Sequence, residues 1–247
     1  MDISFRDHFI QQWERYFNNA ELPVVFYYSK DLHGVELSPK PAGHSCLICD
    51  LKKVRNGWSL AFGEHNIGCG GGSRYAGFTQ EMGEDFEYFL SCGKVGMEGE
   101  RYKKDPETVR LFMEDFPSIN KKDHWLIFKR WDQLNETDEP EVALFFARPD
   151  VISGLFMLAN FDFVGNAGVI APFSSGCGSL ITYAQKEKNK EKPRGVLGMF
   201  DPSARPCVKD DELTFSLPFN RLKQLTKYMD ESFLITGTWK NVQKRMQ

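Results

Sequence analysis

Apolar residues recur along the chain in two periods that replace one another, and the alternation predicts helices and strands in turn. Phe5, Phe9, Trp13, Tyr16 and Phe17 fall at helical spacing after a Ser4 cap, opposite Arg6, Asp7, Gln11 and Glu14, so an amphipathic helix opens the chain. Residues 23–28 are β-branched and aromatic with no polar break before Tyr27, the pattern of a strand buried on both faces. Ser45 is placed to cap a helix carrying Leu47, Leu51 and Val54, and Trp58 to Phe62 alternates like a strand. Asp105-Pro106 starts a second amphipathic helix with Val109, Phe112, Met113 and Phe116 on one stripe. Strands at 125–128 and 141–147, a helix opened by Pro149-Asp150, and a strand at 168–173 follow. Ser174 or Ser175 caps a helix bearing Cys177, Leu180, Ile181 and Ala184, and 185–194 reads as a solvated connection whose charges need no partner. Strands at 196–200 and 213–217 lead through Pro218 into a helix with Leu222, Leu225 and Met229 inward. The alternation predicts a layered α/β fold, a sheet covered by helices, in one domain over 1–247.

The 247 residues include 41% hydrophobic positions and 21 Phe, enough to build a sizeable core. A net charge of -3 gives no electrostatic reason to expect nucleic acid or an anionic membrane as partner. The first residues lack the basic and apolar regions of a secretory signal, and no apolar run approaches a membrane span, so a cytoplasmic location is expected. Six cysteines in a Phe-rich chain of this size are expected as reduced thiols rather than as a disulfide scaffold.

Candidate chemistry concentrates on those cysteines. His44-Ser45-Cys46-Leu47-Ile48-Cys49-Asp50 holds a CxxC pair, and a four-ligand site built on it must recruit residues such as His65 and Cys69. The bland alternative is two small apolar side chains in a packed helix. Cys46 and Cys177 each lie at a predicted helix N-terminus, where exposed amides and the dipole favour thiolate. The stretch 68–77 contains Gly70, Gly71 and Gly72 followed by Arg74, a pattern suited to an anion-accepting backbone or to a flexible loop without ligand. Glu64, Asp201 and Arg205 are further candidates, the last two directly after a predicted strand, where open α/β sheets present ligand contacts. Pro202 and Pro206 stiffen the segment around Arg205, which is expected to face the Cys177 pocket. HExxH, GxSxG and EF-hand patterns are absent. The two ends of the chain share a plan of strand, Cys-bearing helix, strand and Cys-containing loop, which suggests two similar halves around a shared pocket, about 1–100 and 140–235.

Pro23-Val24-Val25, Cys46 with Arg55 and Gly57, His65 to Cys69 with Gly70 and Gly77, Ser175-Gly176-Cys177, Leu197-Gly198 through Ser203-Ala204-Arg205, and Leu217-Pro218 occur in an order that resembles the uncharacterised domain-of-unknown-function family 169. The resemblance implies a bacterial and archaeal cytoplasmic protein without an established activity, with cysteines recurring at Cys46, Cys69 and Cys177. It also implies a fourth cysteine after Gly198, where this chain has Met199.

Three readings follow. In the first, Cys46, Cys69 and Cys177 converge and bind a metal or iron–sulfur cofactor, with Cys49 as fourth ligand. The second is a metal-free module for an anionic small molecule, using Gly70, Gly71, Gly72, Arg74 and Arg205. The third is a thiol enzyme with Cys46 or Cys177 as nucleophile and His44 or His65 as base.

Overall fold

A computed structural model gives the structure, described for residues 1–119 and 123–246. Helix α1 (Ile3–Tyr16) buries Phe9, Trp13 and Tyr16, and its cap is Asp2 rather than Ser4: the Asp2 carboxylate accepts the Ser4 amide at 2.9 Å. Strand β1 (Val24–Ser29) and the short β2 (Glu36–Leu37) precede α2 (Leu47–Arg55) and β3 (Leu60–Phe62). A long excursion then carries α3 (Gly70–Tyr75), α4 (Phe86–Leu90) and α5 (Pro106–Asp115). Asp105 caps α5 through the Thr108 amide at 2.8 Å, as its Asp-Pro start predicts. Strands β4 (Trp125–Arg130) and β5 (Val142–Ala147) lead to α6 (Pro149–Asn160) and a short β6 (Val169–Ile170). A π-helical segment, Gly178–Thr182, runs directly into α7 (Tyr183–Glu187), followed by β7 (Gly195–Gly198), β8 (Leu213–Pro218), α8 (Phe219–Tyr228) and α9 (Gly237–Gln243).

The strands form one mixed sheet in the order β2-β3-β4-β1-β5-β8-β7-β6. Helices cover both faces, which makes the layered α/β fold that the alternating pattern predicts. One core joins Phe26, Phe128 and Leu144 to Leu47, Leu51, Leu180 and Ile181 of the Cys-bearing helices. A second joins Val25, Ala143 and Phe215 to Trp13, Leu155, Leu222 and Trp239. Among the described residues, five of the strand pairings are antiparallel, while β2 with β3 and β6 with β7 run parallel.

The sheet repeats itself about its centre. Val24 faces Leu144 and Phe26 faces Val142, so a local two-fold passes through the pair Val25–Ala143. Outward from it, the row Phe26, Phe128, Leu60, Glu36 in one half answers the row Leu144, Ser216, Val196, Ile170 in the other. Each half therefore ends in a parallel strand–helix–strand crossover with a cysteine at the start of its helix, Cys46 in one and Cys177 in the other.

Two local expectations are corrected. The segment 185–194 is tied down rather than merely solvated, because buried Glu187 accepts Arg194 Nη2 at 2.6 Å and pairs with Lys190, while Glu141 accepts Gln185 at 2.8 Å. Residues 68–77 are no open loop, since α3 occupies most of them. Its end is fastened by the Tyr75 carbonyl, which accepts Thr182 Oγ1 at 2.9 Å, and by the Ala76 carbonyl, which accepts the Tyr28 hydroxyl at 2.8 Å.

Candidate functional site

Three cysteines from distant parts of the chain stand at the beginnings of three helices. Cys46 is the N-cap of α2, in place of the expected Ser45, and Cys69 is the N-cap of α3, its sulfur accepting the Gly72 amide at 3.2 Å. Cys177 sits in the first turn before the π segment, a turn closed by the Gly178 amide on Ser175 Oγ at 3.1 Å. A π segment so placed is a common companion of functional sites.

Glycines let the three helix starts approach. A Cβ on Gly176 would stand 2.4 Å from Ile48 Cδ1 and 3.0 Å from Ala204 Cβ, so the Cys177 turn lies directly against α2. A Cβ on Gly72 would stand 2.8 Å from Cys69 Sγ and 3.5 Å from Leu47 Cβ, which brings α3 onto the same helix. The Ser45 amide donates to the Gly68 carbonyl at 3.3 Å and joins the two remaining approaches.

Asp201 fastens the turn that carries Cys177. Its Oδ2 accepts the Gly176 amide at 3.0 Å and its Oδ1 accepts the Ser203 amide and hydroxyl at 3.0 and 2.7 Å. Burial pushes the Cys46 thiol above its usual value of 9.0, the amides of Ile48 and Cys49 oppose that rise, and the charges of Cys69 and Asp201 add to it. Buried Cys177 is driven well above 9.0 by desolvation first and then by Cys69, Cys46 and Asp201. The charged neighbours that move these thiols are thus each other and a carboxylate, all negative when ionised. Asp201→Asn keeps an acceptor for Gly176 and removes the charge, so the pH profile of Cys46 alkylation is expected to move to lower pH; an unmoved profile would separate Asp201 from the thiols.

Two tyrosines unforeseen in the sequence also lie near Asp201. Burial raises the Tyr75 hydroxyl, a hydrogen bond with Ser175 lowers it, and Cys177 and Asp201 act on it through their charges. Tyr102 is raised by slight burial and then by Asp201, with a hydrogen bond to Ser203 opposing. Tyr75 lies inside the glycine-rich stretch and gave that signal. Tyr102 comes from the excursion between β3 and β4, and its local sequence carries no mark of the site. Met199, where the resemblance implies a cysteine, is buried at a left-handed φ of 74°, with its sulfur 3.4 Å from the place a Gly176 Cβ would take. A left-handed backbone at a bulky residue is uncommon and tends to mark functional segments.

Other expected site residues lie elsewhere or are already engaged. Cys49 is disulfide-bonded to Cys207, with Cα atoms 4.6 Å apart, so neither is the reduced thiol expected and Cys49 is not a free fourth ligand. Arg205 does not turn its guanidinium to the thiols: it donates to the carbonyls of Glu212, Lys209 (3.1 Å) and Asp210 (2.8 Å), clasping the turn before β8. The rule that placed Arg205 at a ligand edge belongs to parallel sheets, and β7 and β8 are antiparallel. Arg74 donates to the Gln80 carbonyl, and Gly70 to Gly72 form the first turn of α3, whose Gly72 amide serves the Cys69 sulfur. His44, His65 and Cys92 are exposed.

Among the described residues, no group of three or more His, Cys, Asp or Glu side chains is arranged to hold a metal ion. A cleft of about 560 Å³ opens away from the cysteines, lined by Tyr28, Glu141, Lys188, Phe219 and Lys223 among others. No described helix is long and apolar enough to cross a membrane.

No curated protein and no solved structure matches the chain. A family model does, over residues 14–227, a span that takes in all three cysteines, Asp201 and every strand of the sheet. On that match the chain belongs to the domain-of-unknown-function family 169, described as uncharacterised ArCR.

Proposed function

We propose that Cys46, Cys69 and Cys177 form a thiolate site for a metal ion or an iron–sulfur group. The observation that carries the reading is the approach of three helix starts: the Gly176 turn packs on Ile48 of α2, Gly72 of α3 packs on Leu47, and the Ser45 amide donates to the Gly68 carbonyl, so cysteines far apart in sequence begin neighbouring helices. Helix N-termini offer amides and positive dipole ends to thiolates, while thiolates are the ligands that soft and borderline metals prefer. Three ionised sulfurs beside Asp201 make a strongly negative place, which a bound cation would neutralise. Without one, the elevated Cys46 and Cys177 thiols keep their protons at neutral pH. Binding would therefore draw the three side chains into a common shell as it releases protons.

The same features weigh against the other two readings. An anion would meet the Asp201 carboxylate, while the guanidinium groups of Arg74 and Arg205 are held by backbone carbonyls. A catalytic thiol nucleophile needs a lowered pKa or an adjacent base, whereas burial moves Cys46 and Cys177 the other way and His44 and His65 are exposed; the small thiolate fraction left to Cys46 suffices only for slow exchange with a sulfur in its own helical turn.

Cobalt(II) titration of the reduced, oxygen-free full chain tests the reading, because cobalt bound by sulfur gives intense charge-transfer absorption. One saturable site per chain is expected, with Cys46→Ser, Cys69→Ser and Cys177→Ser each weakening it by at least about tenfold, since even outer-shell partners of a metal contribute ~10–100-fold. Absorption that survives all three substitutions would place any cobalt elsewhere.

A further inference from the structure

The CxxC pair is only half absorbed by the thiolate site. Cys46 begins α2 and Cys49 lies one turn on, where the Cys49 amide donates to the Cys46 carbonyl at 3.0 Å. Cys49 carries the bond to Cys207, at the end of the 3-10 turn Arg205–Cys207. Cys207 is 4% exposed, whereas Cys46 is half-buried and free. A free thiol thus stands in the same helical turn as a disulfide whose far sulfur is shielded from solvent. Lys52, one turn further along α2, reaches the Pro206 carbonyl at 3.4 Å, so the disulfide belongs to a wider seam between α2 and the turn before β8.

We infer that the Cys49–Cys207 disulfide is a redox gate on the thiol site and that Cys46 is the relay through which it opens. The gate rests on the thiolate-site reading for its consequence, while the exchange does not. Deprotonated Cys46 attacks Cys49 Sγ; the Cys46–Cys49 bond forms as the Cys49–Cys207 bond breaks, and Cys207 leaves as thiolate and takes the proton that Cys46 lost. This step is an isomerisation with no net oxidation. A small external dithiol then attacks the Cys46–Cys49 bridge at Cys46, and its second thiol displaces Cys46. Two electrons and two protons pass to Cys46 and Cys49, and the dithiol departs as its own disulfide. The reduced protein presents Cys49 and Cys207 beside the three thiols already gathered, which supplies the fourth sulfur that a closed tetrahedral site needs.

The full chain purified in air, followed by alkylation and peptide mass mapping during treatment with dithiothreitol, tests the relay. Cys49 and Cys207 are expected to resist alkylation at first and to become labelled together on reduction. Cys46→Ser should slow that labelling at least about tenfold, because attack must then come from outside on half-buried Cys49 or shielded Cys207 in place of a thiol held in the same helical turn, and Cys92→Ser should leave the rate unchanged. In Cys207→Ser, mild oxidation should yield a crosslinked Cys46–Cys49 peptide. Early labelling of Cys49 and Cys207, or a wild-type rate in Cys46→Ser, would overturn the relay.

Cadmium titration of the oxidised and reduced chains separates the gate from the site on which it acts. Affinity at least about tenfold higher in the reduced state supports the gate. Equal, saturable binding in both states overturns the gate and leaves the three-cysteine site standing. No binding in either state overturns the gate and the thiolate-site reading together, whatever the exchange kinetics show.

Discussion

Lys129→Met is expected to destabilise the fold by about 3–5 kcal/mol, the usual effect of removing one partner from a buried ion pair. Lys129 lies in β4 with 3% of its surface exposed, and Asp138 is fully buried. The ammonium donates to Asp138 Oδ1 at 2.8 Å and to Oδ2 at 3.0 Å. The Tyr27 hydroxyl and the Asn135 amide (2.8 Å) donate to the same carboxylate. Methionine fills much of the lysine volume, so the loss reports the stranded charge rather than a cavity. Removing that charge as well, in Lys129→Met with Asp138→Asn, should recover a large part of the loss. Urea denaturation of both variants at neutral pH measures this, and a single variant within about 0.5 kcal/mol of wild type would show that water reaches Asp138.

A second large effect is expected in the pH dependence of metal binding. Cys46 and Cys177 titrate above the ordinary thiol value of 9.0, so both are protonated at neutral pH and must release protons to bind a metal. Apparent affinity should therefore rise about tenfold per pH unit for each thiol deprotonated on binding, and about a hundredfold when both contribute. The sign for metal-free stability is opposite. Thiols whose folded pKa is raised stabilise the fold fully below their unfolded value, and the fold loses that contribution as pH rises through the folded value. Metal-free protein should thus weaken on the alkaline side of 9.0, and metal should restore it there. Zinc titrations with a competing chelator between about pH 6 and 8 test the first claim, and flat affinity would mean that these two thiols do not supply ligands.

The elements with regular apolar periods were legible because their pattern is local. The run at 23–28 is buried on both faces as its composition requires, since helices cover each side of the sheet at β1. That same pattern conceals strand direction: an antiparallel strand between two helical layers reads like a parallel one. Helix α3 was hidden for a different reason. Three consecutive glycines argue against a helix on propensity, yet Cys69 caps the turn and the absence of a Gly72 side chain lets it pack on Leu47 and Ile67. Cys46 and Cys177 were visible as residues at helix starts and Cys69 only as part of a glycine-rich stretch, whereas the Cys49–Cys207 bond joins positions 158 residues apart and leaves no local trace. Arg205 misled because stiff flanking prolines suit a ligand contact and a turn clasp equally well. Its three carbonyl partners decide for the clasp.

The central claim is that sulfur from Cys46, Cys69 and Cys177 reaches one metal. X-ray absorption at the zinc edge of the reduced, zinc-loaded full chain measures that shell directly. The account predicts at least three sulfur scatterers at about 2.3 Å, reduced in number by Cys177→Ser. A shell of nitrogen and oxygen alone, at about 2.0–2.1 Å, would contradict it.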